Sequence, residues 1–210
     1  GFSMTYDLFS TSKDRSDEAV RIDMPDAELL LFASLFSQRE ANQLLDALLT
    51  GIQWQQEKIK LYGRVHPLPR LTALYGDPGT TYSYSGITAE CAPWIPALVT
   101  IKERIEEVSH ASFNSVLLNR YRNGSDSMSW HADDEPELGR NPVIGSVSLG
   151  QSRTLQMKRK SGESSRQDIP LVNGSFLLMQ GAVQHHWLHQ IAKSRRQMGE
   201  RINLTYRFIR

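Results

Sequence analysis

The segment His131–Glu135 combines one histidine with three acidic residues in a short, turn-prone stretch of the chain. His131 and Asp133 are two residues apart, so their side chains share one face of an extended segment. A histidine and a carboxylate are two of the three protein ligands of a non-haem Fe(II) site, which keeps further coordination positions open. An H-x-D pair alone is weak evidence because it is common by chance. Even with a third histidine, a surface His–Asp pair plus an interfacial histidine cluster is an equally good interpretation.

The third ligand must come from a later strand, and "VQHHWLHQ" (183–190) offers three histidines. On a strand His185, Trp187 and His189 would share one face, with His186 on the other. This periodicity narrows the choice among the three histidines without deciding it.

A possible anchor for an acidic co-substrate follows in "RINLTYR" (201–207). Arg201, Asn203 and Arg207 lie on one face of a strand because they are separated by even numbers of residues. Guanidinium groups suit carboxylates, since their N–H donors form a fixed fork. Taken alone, this pattern is typical of an exposed basic strand. Next to a metal site with open coordination positions, however, it predicts that a dicarboxylate binds there.

The elements that must position these residues are two helices and a series of short strands. Ser37 and Glu40 have the spacing of a capping box, which predicts a helix ending near Gly51. A second helix is predicted from Pro96 to about His110. Short runs that alternate or are apolar, separated by Gly, Pro, Asn and Ser, indicate a sandwich or jelly roll; they fall within 112–121, 142–150, 153–159, 173–180 and 201–209.

Length and patterning indicate one domain, residues 27–210, after a loosely ordered arm at 1–26. Residues 1–3, which precede Met4, are interpreted as an expression scar. Composition is that of an ordinary globular protein, with 40% hydrophobic and 22% charged residues in 210. The fold class expected is therefore α+β with a mainly β core.

Charge is unevenly distributed along the chain. Residues 153–210 contain eleven Lys or Arg and three acidic residues, which is a net charge of +8. Because the whole chain has a net charge of +1, residues 1–152 carry a net charge of −7. This asymmetry favours an anionic partner for the second half, although a merely basic surface is an alternative. One cysteine and the lack of a long apolar run predict a cytoplasmic protein with no membrane partner.

Four motifs together resemble the AlkB family of 2-oxoglutarate, Fe(II)-dependent dioxygenases: "NRY" (119–121), "HADDE" (131–135), "HWLHQ" (186–190) and "RINLTYR" (201–207). The resemblance runs from about Leu29 to Arg210. It is closest to the branch that repairs duplex DNA, through "PRLTALYGDPGTTYSYSG" (69–86) and "DDE". It implies a double-stranded β-helix (jelly roll) with N-terminal helices and a nucleotide-recognition lid, assigned to residues 54–90.

The resemblance also implies roles for individual residues at the metal and co-substrate. The iron ligands would be His131, Asp133 and His189. Arg207 would clamp the distal carboxylate of 2-oxoglutarate and Arg201 the end nearer the metal. The remaining co-substrate contacts would come from Asn119, Tyr121 and Asn203.

For the nucleic acid, the resemblance implies a base flipped out of the stack. The base would be held between Tyr82, Tyr84 and His131, while Asp134 and Glu135 would face its methylated, cationic ring. Close relatives often carry Phe or Trp where Tyr84 stands, so base preference there is open.

A hairpin in "KIKLYGRVH" (58–66) would contact the duplex. Tyr62 and Gly63 at its tip would form a wedge that fills the gap left by the flipped base, and the alternative is a plain hairpin whose tyrosine packs on the sheet. Arg70 would contact the lesion strand.

The implied function is oxidative demethylation of 1-methyladenine or 3-methylcytosine in DNA by direct reversal, with Fe(II), 2-oxoglutarate and O2. The expected partner is duplex DNA, with single-stranded DNA or RNA as alternatives, and the expected state is a monomer in the bacterial cytosol or, in a eukaryote, the nucleus. Two rivals stay open: the same oxygenase acting on RNA or a protein side chain, and a non-enzymatic nucleic-acid-binding module with a structural metal. The latter usually has four protein ligands, whereas three are found here.

Overall fold

Both predicted helices are present in the computed structural model, which describes residues 14–210. Helix α1 spans Gln38–Gly51 and helix α2 spans Pro96–Ser109. The capping box at Ser37 is confirmed: its hydroxyl accepts a hydrogen bond from the Glu40 amide, and its own amide donates to the Glu40 carboxylate, both at 3.1 Å. No helix within residues 14–210 is long and apolar enough to cross a membrane.

The helices pack against a seven-stranded sheet. Its strands are, in spatial order, β1 (Val20–Ile22), β2 (Glu28–Phe32), β13 (Ser175–Gln180), β10 (Ile144–Gly150), β15 (Arg201–Arg207), β8 (Ser115–Tyr121) and β5 (Leu71–Gly76). All neighbours are antiparallel. One face buries the apolar sides of both helices, including Leu44, Leu48, Leu98, Ile101 and Ile105.

A four-stranded sheet packs on the other face of the first. Its order is β12 (Arg166–Leu171), β11 (Arg153–Arg159), β14 (Trp187–Ile191) and β9 (Met128–His131). A second apolar cluster fills the space between the sheets. This two-sheet arrangement confirms the predicted jelly roll with a mainly β core, and the site residues lie where its inner faces meet.

Two small hairpins project from this core, and both fall within residues 54–90. They are β3 (Lys58–Leu61) with β4 (Arg64–Pro67), and β6 (Thr81–Tyr84) with β7 (Ile87–Glu90). Each turn has two residues with positive φ, Tyr62–Gly63 and Ser85–Gly86. Type I′ turns require this geometry, and glycine at the second position adopts it without steric cost.

The described part of the N-terminal arm is ordered, which corrects the prediction for residues 14–26. Strand β1 pairs with the edge of β2, whose backbone groups would otherwise lack partners. The Ser16 amide donates to the Ser34 carbonyl at 2.7 Å, and Asp17 is ion-paired with the buried Arg104 of α2. Residues 1–13, including the interpreted expression scar, lie outside the described residues.

The histidine-rich segment also departs from prediction. Residues Val183–His186 form a short helix, α3, and the strand starts only at Trp187. His185 and His186 are exposed on this helix, whereas His189 is buried in the middle of β14. The expected shared face of His185 and His189 is therefore wrong, because a helical turn separates them.

Candidate active site

His131, Asp133 and His189 come together at the junction of β9 and β14. His131 is paired directly opposite His189, and their ring centroids are 4.2 Å apart. Asp133 follows β9 by two residues, and one possible ligand atom from each of the three residues lies within 4.8 Å of the others. Two imidazoles and one carboxylate in such a cluster match a facial Fe(II) site. The residues present therefore fit the predicted metal.

A backbone carbonyl determines which nitrogen of His131 faces the cluster. Nδ1 lies 2.8 Å from the Ser129 carbonyl oxygen. Because a carbonyl only accepts hydrogen bonds, Nδ1 must carry the proton, which leaves the Nε2 lone pair free to bind a metal.

The charge state of the other two ligands also suits a cation. Burial alone would raise the pKa of Asp133, but the charges of Arg207, His189 and His131 outweigh it and lower that pKa to about 2. Burial, together with His131, lowers the pKa of His189 to about 3. At neutral pH the carboxylate is thus ionised and the imidazole neutral, which are the forms that coordinate metal.

Two further contacts hold Asp133 in place. The Arg207 guanidinium donates to Oδ1 at 2.7 Å, and the Asp133 amide donates to the Gln184 side-chain oxygen at 2.9 Å. Gln184 is buried on α3. Sequence reasoning missed Gln184, because neither its type nor its spacing from the other site residues signals a contact with Asp133.

The order expected for the two arginines is wrong. Arg207 lies at the metal cluster through its bond to Asp133. Arg201 is six residues away along β15, about 20 Å at strand spacing, and donates to the Ser148 hydroxyl at 3.1 Å instead. Periodicity gives the face on which both arginines lie, but not which end of the strand meets the metal. Arg207 is therefore the arginine nearer the metal, and Arg201 the distal one.

A narrow pocket joins the metal cluster to Arg201. Its polar wall includes Tyr121, Ser146, Asn203 and Thr205. Arg201 is fully buried, and among residues 14–210 its Nε and Nη1 have no hydrogen-bond partner. Buried guanidinium donors without partners carry a large desolvation cost that an anion relieves. A small dicarboxylate that reaches from the metal to Arg201 fits this donor set.

Asn119 lies on β8, paired with Asn203 of β15 and bonded to Arg70. Arg70 Nε donates to Asn119 Oδ1 at 2.8 Å, and its Nη1 donates to the Ser127 carbonyl at 3.1 Å. Since Arg70 is buried and uses these donors internally, the expected contact with the lesion strand is not supported. Asn119 Nδ2 is buried and has no hydrogen-bond partner in the described part of the chain, so it can bond a ligand.

A wider cleft of about 660 Å³ opens beside the metal cluster. Tyr82, Tyr84 and His131 all line it, as expected. The two tyrosine rings are near parallel, with centroids 6.2 Å apart, and the Arg207 guanidinium lies 4.9 Å from the Tyr82 ring centroid. Both hairpins contribute side chains to the cleft wall, so this part of the chain covers the site.

The two acidic residues after Asp133 face different surroundings. Glu135 lines the cleft, and no described residue forms a hydrogen bond with its buried Oε2. Burial and the nearby Asp133 raise the pKa of Glu135. Asp134 instead is exposed and pairs with Lys160 at 2.9 Å, so the expectation that it faces the base is wrong. Alternation explains this, because neighbouring side chains on extended chain point to opposite sides.

Tyr62 stands at the tip of the β3–β4 hairpin and is fully exposed. It packs on nothing in the sheet, which excludes the plain-hairpin alternative for its side chain. Leu61 and Val65 beside it are also exposed, and the hairpin carries the exposed cations Lys58, Lys60 and Arg64.

Comparisons with known proteins agree with this geometry. The family model described as the 2OG-Fe(II) oxygenase superfamily matches residues 28–207. The human alpha-ketoglutarate-dependent dioxygenase alkB homolog 3 is 40% identical over 192 residues, covering 87% of this chain and 66% of that protein. The chain belongs to the AlkB family of 2OG-Fe(II) oxygenases. The family predicted from the four motifs is confirmed.

Other AlkB relatives extend the comparison. The human DNA oxidative demethylase ALKBH2 is 35% identical over 188 residues, covering 85% of this chain and 72% of that protein. The chain is therefore related to ALKBH2 as well as to the alkB homolog 3 proteins, which match at slightly higher identity. A solved structure described as "The structure of OsALKBH1" has a TM-score of 0.62 at 16% identity, covering 90% of this chain and 99% of that chain, which supports the fold. This AlkB-family chain spans just under two thirds of the length of the homolog 3 proteins.

Proposed function

We propose that this chain is an Fe(II)- and 2-oxoglutarate-dependent oxidative demethylase that repairs N-methylated bases, 1-methyladenine and 3-methylcytosine, in DNA. The proposal rests on one observation: a candidate metal cluster, a pocket and a cleft lie next to one another. A His–Asp–His cluster lies between a narrow pocket that ends at Arg201, two of whose buried nitrogens have no partner among residues 14–210, and an open cleft lined by Tyr82 and Tyr84. The first two suit a metal with a dicarboxylate, and the third suits a flat base.

In this proposal His131, Asp133 and His189 hold the iron, and Arg207 keeps the Asp133 carboxylate oriented. Arg201 binds the distal carboxylate of 2-oxoglutarate, with Asn119, Tyr121 and Asn203 in support. When bound, Fe(II), 2-oxoglutarate and O2 supply the oxidation of the N-methyl group, whose carbon leaves as formaldehyde. The protein orients the reactants and excludes water, and no side chain needs to act as a nucleophile.

Recognition of the base would rest on Tyr82, Tyr84, His131 and Glu135. Aromatic rings stack on a flat base, and the buried, unpartnered Glu135 oxygen favours a cationic ring. Both proposed lesions are cations when methylated, whereas the unmodified bases are neutral. Glu135 would thus discriminate by charge as well as by shape.

A duplex would present its target base only after flipping, and residues 54–90 would act as the lid that accepts it. Tyr62 is suited to replace the lost stacking, because its ring is fully exposed in the two-residue turn at the hairpin tip. Lys58, Lys60 and Arg64 would meet phosphates on either side. Flipping costs a few kcal/mol, and less for a lesion that already pairs badly.

A substrate panel tests this proposal. Iron-loaded protein with 2-oxoglutarate would be supplied with matched duplex DNA, single-stranded DNA and RNA carrying 1-methyladenine or 3-methylcytosine, and with a methylated peptide. We expect formaldehyde from the DNA substrates. Turnover on RNA or peptide alone would keep the oxygenase and refute the DNA assignment, and metal binding without turnover on any substrate would favour a non-enzymatic module.

A further inference from the structure

Arg153, at the start of β11, is a buried cation to which neither the sequence motifs nor the proposed mechanism gives a role. Its guanidinium carbon lies 5.5 Å from the centroid of the Tyr121 ring, and that of Arg201 lies 5.0 Å from the same centroid. The two guanidinium groups are therefore at most 10.5 Å apart. The ring of Tyr121 therefore lies next to two positively charged guanidinium groups at the Arg201 end of the co-substrate pocket.

The hydrogen bonds of Arg153 go to backbone carbonyls. Nη2 donates to the carbonyls of Asp126 and Ala192 at 2.9 and 2.8 Å, and Nη1 donates to that of Asn123 at 3.3 Å. Carbonyl groups fix the orientation of the guanidinium without neutralising its charge.

The Asp126 carboxylate attracts Arg153 electrostatically, but its hydrogen bonds are made to Arg122. Asp126 accepts three hydrogen bonds from Arg122, two from its guanidinium and one from its amide, at 2.8–3.1 Å. Within residues 14–210 no ion pair joins Arg153 to a carboxylate. Burial lowers the pKa of Arg153, and burial together with the charge of Arg153 lowers that of Arg201. Two like charges held this close are costly until an anion reaches them.

We propose that Arg153 is a specificity-determining positioning residue of the co-substrate site, which holds Tyr121 in place and favours a co-substrate with a second carboxylate. The inference rests on the proposed use of 2-oxoglutarate. Arg201 is the direct partner of the distal carboxylate, and Arg153 acts on it through space and through Tyr121. At a separation of about 10 Å and an effective dielectric constant of about 20, one positive charge changes anion affinity by roughly tenfold.

The test compares two ligands that differ only at the distal end. 2-Oxoglutarate and 2-oxopentanoate have the same chain length, but the second carries a methyl group where the first has its distal carboxylate. Their dissociation constants would be measured calorimetrically, without oxygen, on the Mn(II)-loaded full chain. The wild type should prefer 2-oxoglutarate, and Arg153→Gln should reduce the ratio of the two constants about tenfold. Arg166→Gln, which removes an exposed arginine on the adjacent strand β12, should leave it unchanged.

Each outcome has a defined meaning. An equal loss of affinity for both ligands in Arg153→Gln would assign Arg153 a purely structural role and overturn the inference. Failure of the wild type to bind 2-oxoglutarate at all would instead refute the proposed function. Should Arg153→Gln not fold, Arg201→Gln provides the second test. That variant should still prefer 2-oxoglutarate by about tenfold, the contribution expected of Arg153 alone, whereas a ratio of one would overturn the inference.

Discussion

Replacing Arg207 with glutamine should destabilise the metal-free protein, because Asp133 would remain buried without its charge partner. Both side chains of this pair are less than a tenth exposed. The pKa of Asp133, about 2 against an ordinary 3.8, corresponds to about 2 kcal/mol in favour of the ionised form. Removal of Arg207 takes away the largest of the charges that lower this pKa and leaves most of the burial cost uncompensated, so we expect a loss of about 3–5 kcal/mol at pH 7.

The assay is urea denaturation in the presence of a chelator, with Lys160→Gln as a matched control. Lys160 forms an ion pair of similar length with Asp134, but both side chains are partly exposed, so its loss should cost less than about 1 kcal/mol. Stability that depends on an ionised Asp133 is present above pH 3.8 and declines as pH falls towards 2, so the gap between Arg207→Gln and wild type should narrow there. Equal destabilisation by the two substitutions at pH 7 would refute the reasoning.

Three further predictions concern other parts of the structure. Tyr62→Ala should lower demethylation of duplex DNA about tenfold, through lost stacking, with little effect on single strands or on stability because the ring is fully exposed; equal losses on both substrates would contradict the wedge role. Gln184→Leu should weaken Mn(II) binding about tenfold or more by leaving the Asp133 amide without its 2.9 Å acceptor, and an unchanged calorimetric dissociation constant would show that Gln184 does not position the ligand. Cys91 should react with a thiol reagent at pH 8 only after urea unfolds the protein, because burial raises its pKa to about 11; rapid reaction of the native protein would be the opposite result.

Local patterns in the sequence predicted the elements of the fold well. The capping box at Ser37, the helix starting at Pro96 and the alternating strand "RINLTYR" all stand where spacing indicated, because they depend on contacts within a few residues. The ordered arm at residues 14–26 was not predictable, because it depends on a free sheet edge and on Arg104 far along the chain.

At the site, sequence identified the residues better than their arrangement. His131, Asp133 and His189 cluster as predicted, but the choice of His189 over His185 depends on a helix that ends at His186. The order of the two arginines depends on which end of β15 meets the metal cluster, which strand pairing determines and periodicity does not. The outward direction of Asp134, in contrast, was available from the two-residue alternation that places Glu135 on the same side as Asp133.

Buried polar contacts were the least predictable part of the site. Arg70 and Arg153 are types usually found at the surface, and each is held inside by carbonyl or amide oxygens from distant segments. Such partners become apparent only when the strands are assembled.

The measurement that tests the central claim most directly is the joint yield of succinate and formaldehyde. The protein would be reconstituted with Fe(II) and 2-oxoglutarate without oxygen, and oxygen would then be admitted with a duplex oligonucleotide containing 1-methyladenine. We expect the two products in equal amounts from the wild type, and neither from Asp133→Ala. Absence of succinate from iron-loaded wild-type protein, or undiminished demethylation by Asp133→Ala, would contradict the assignment of this site.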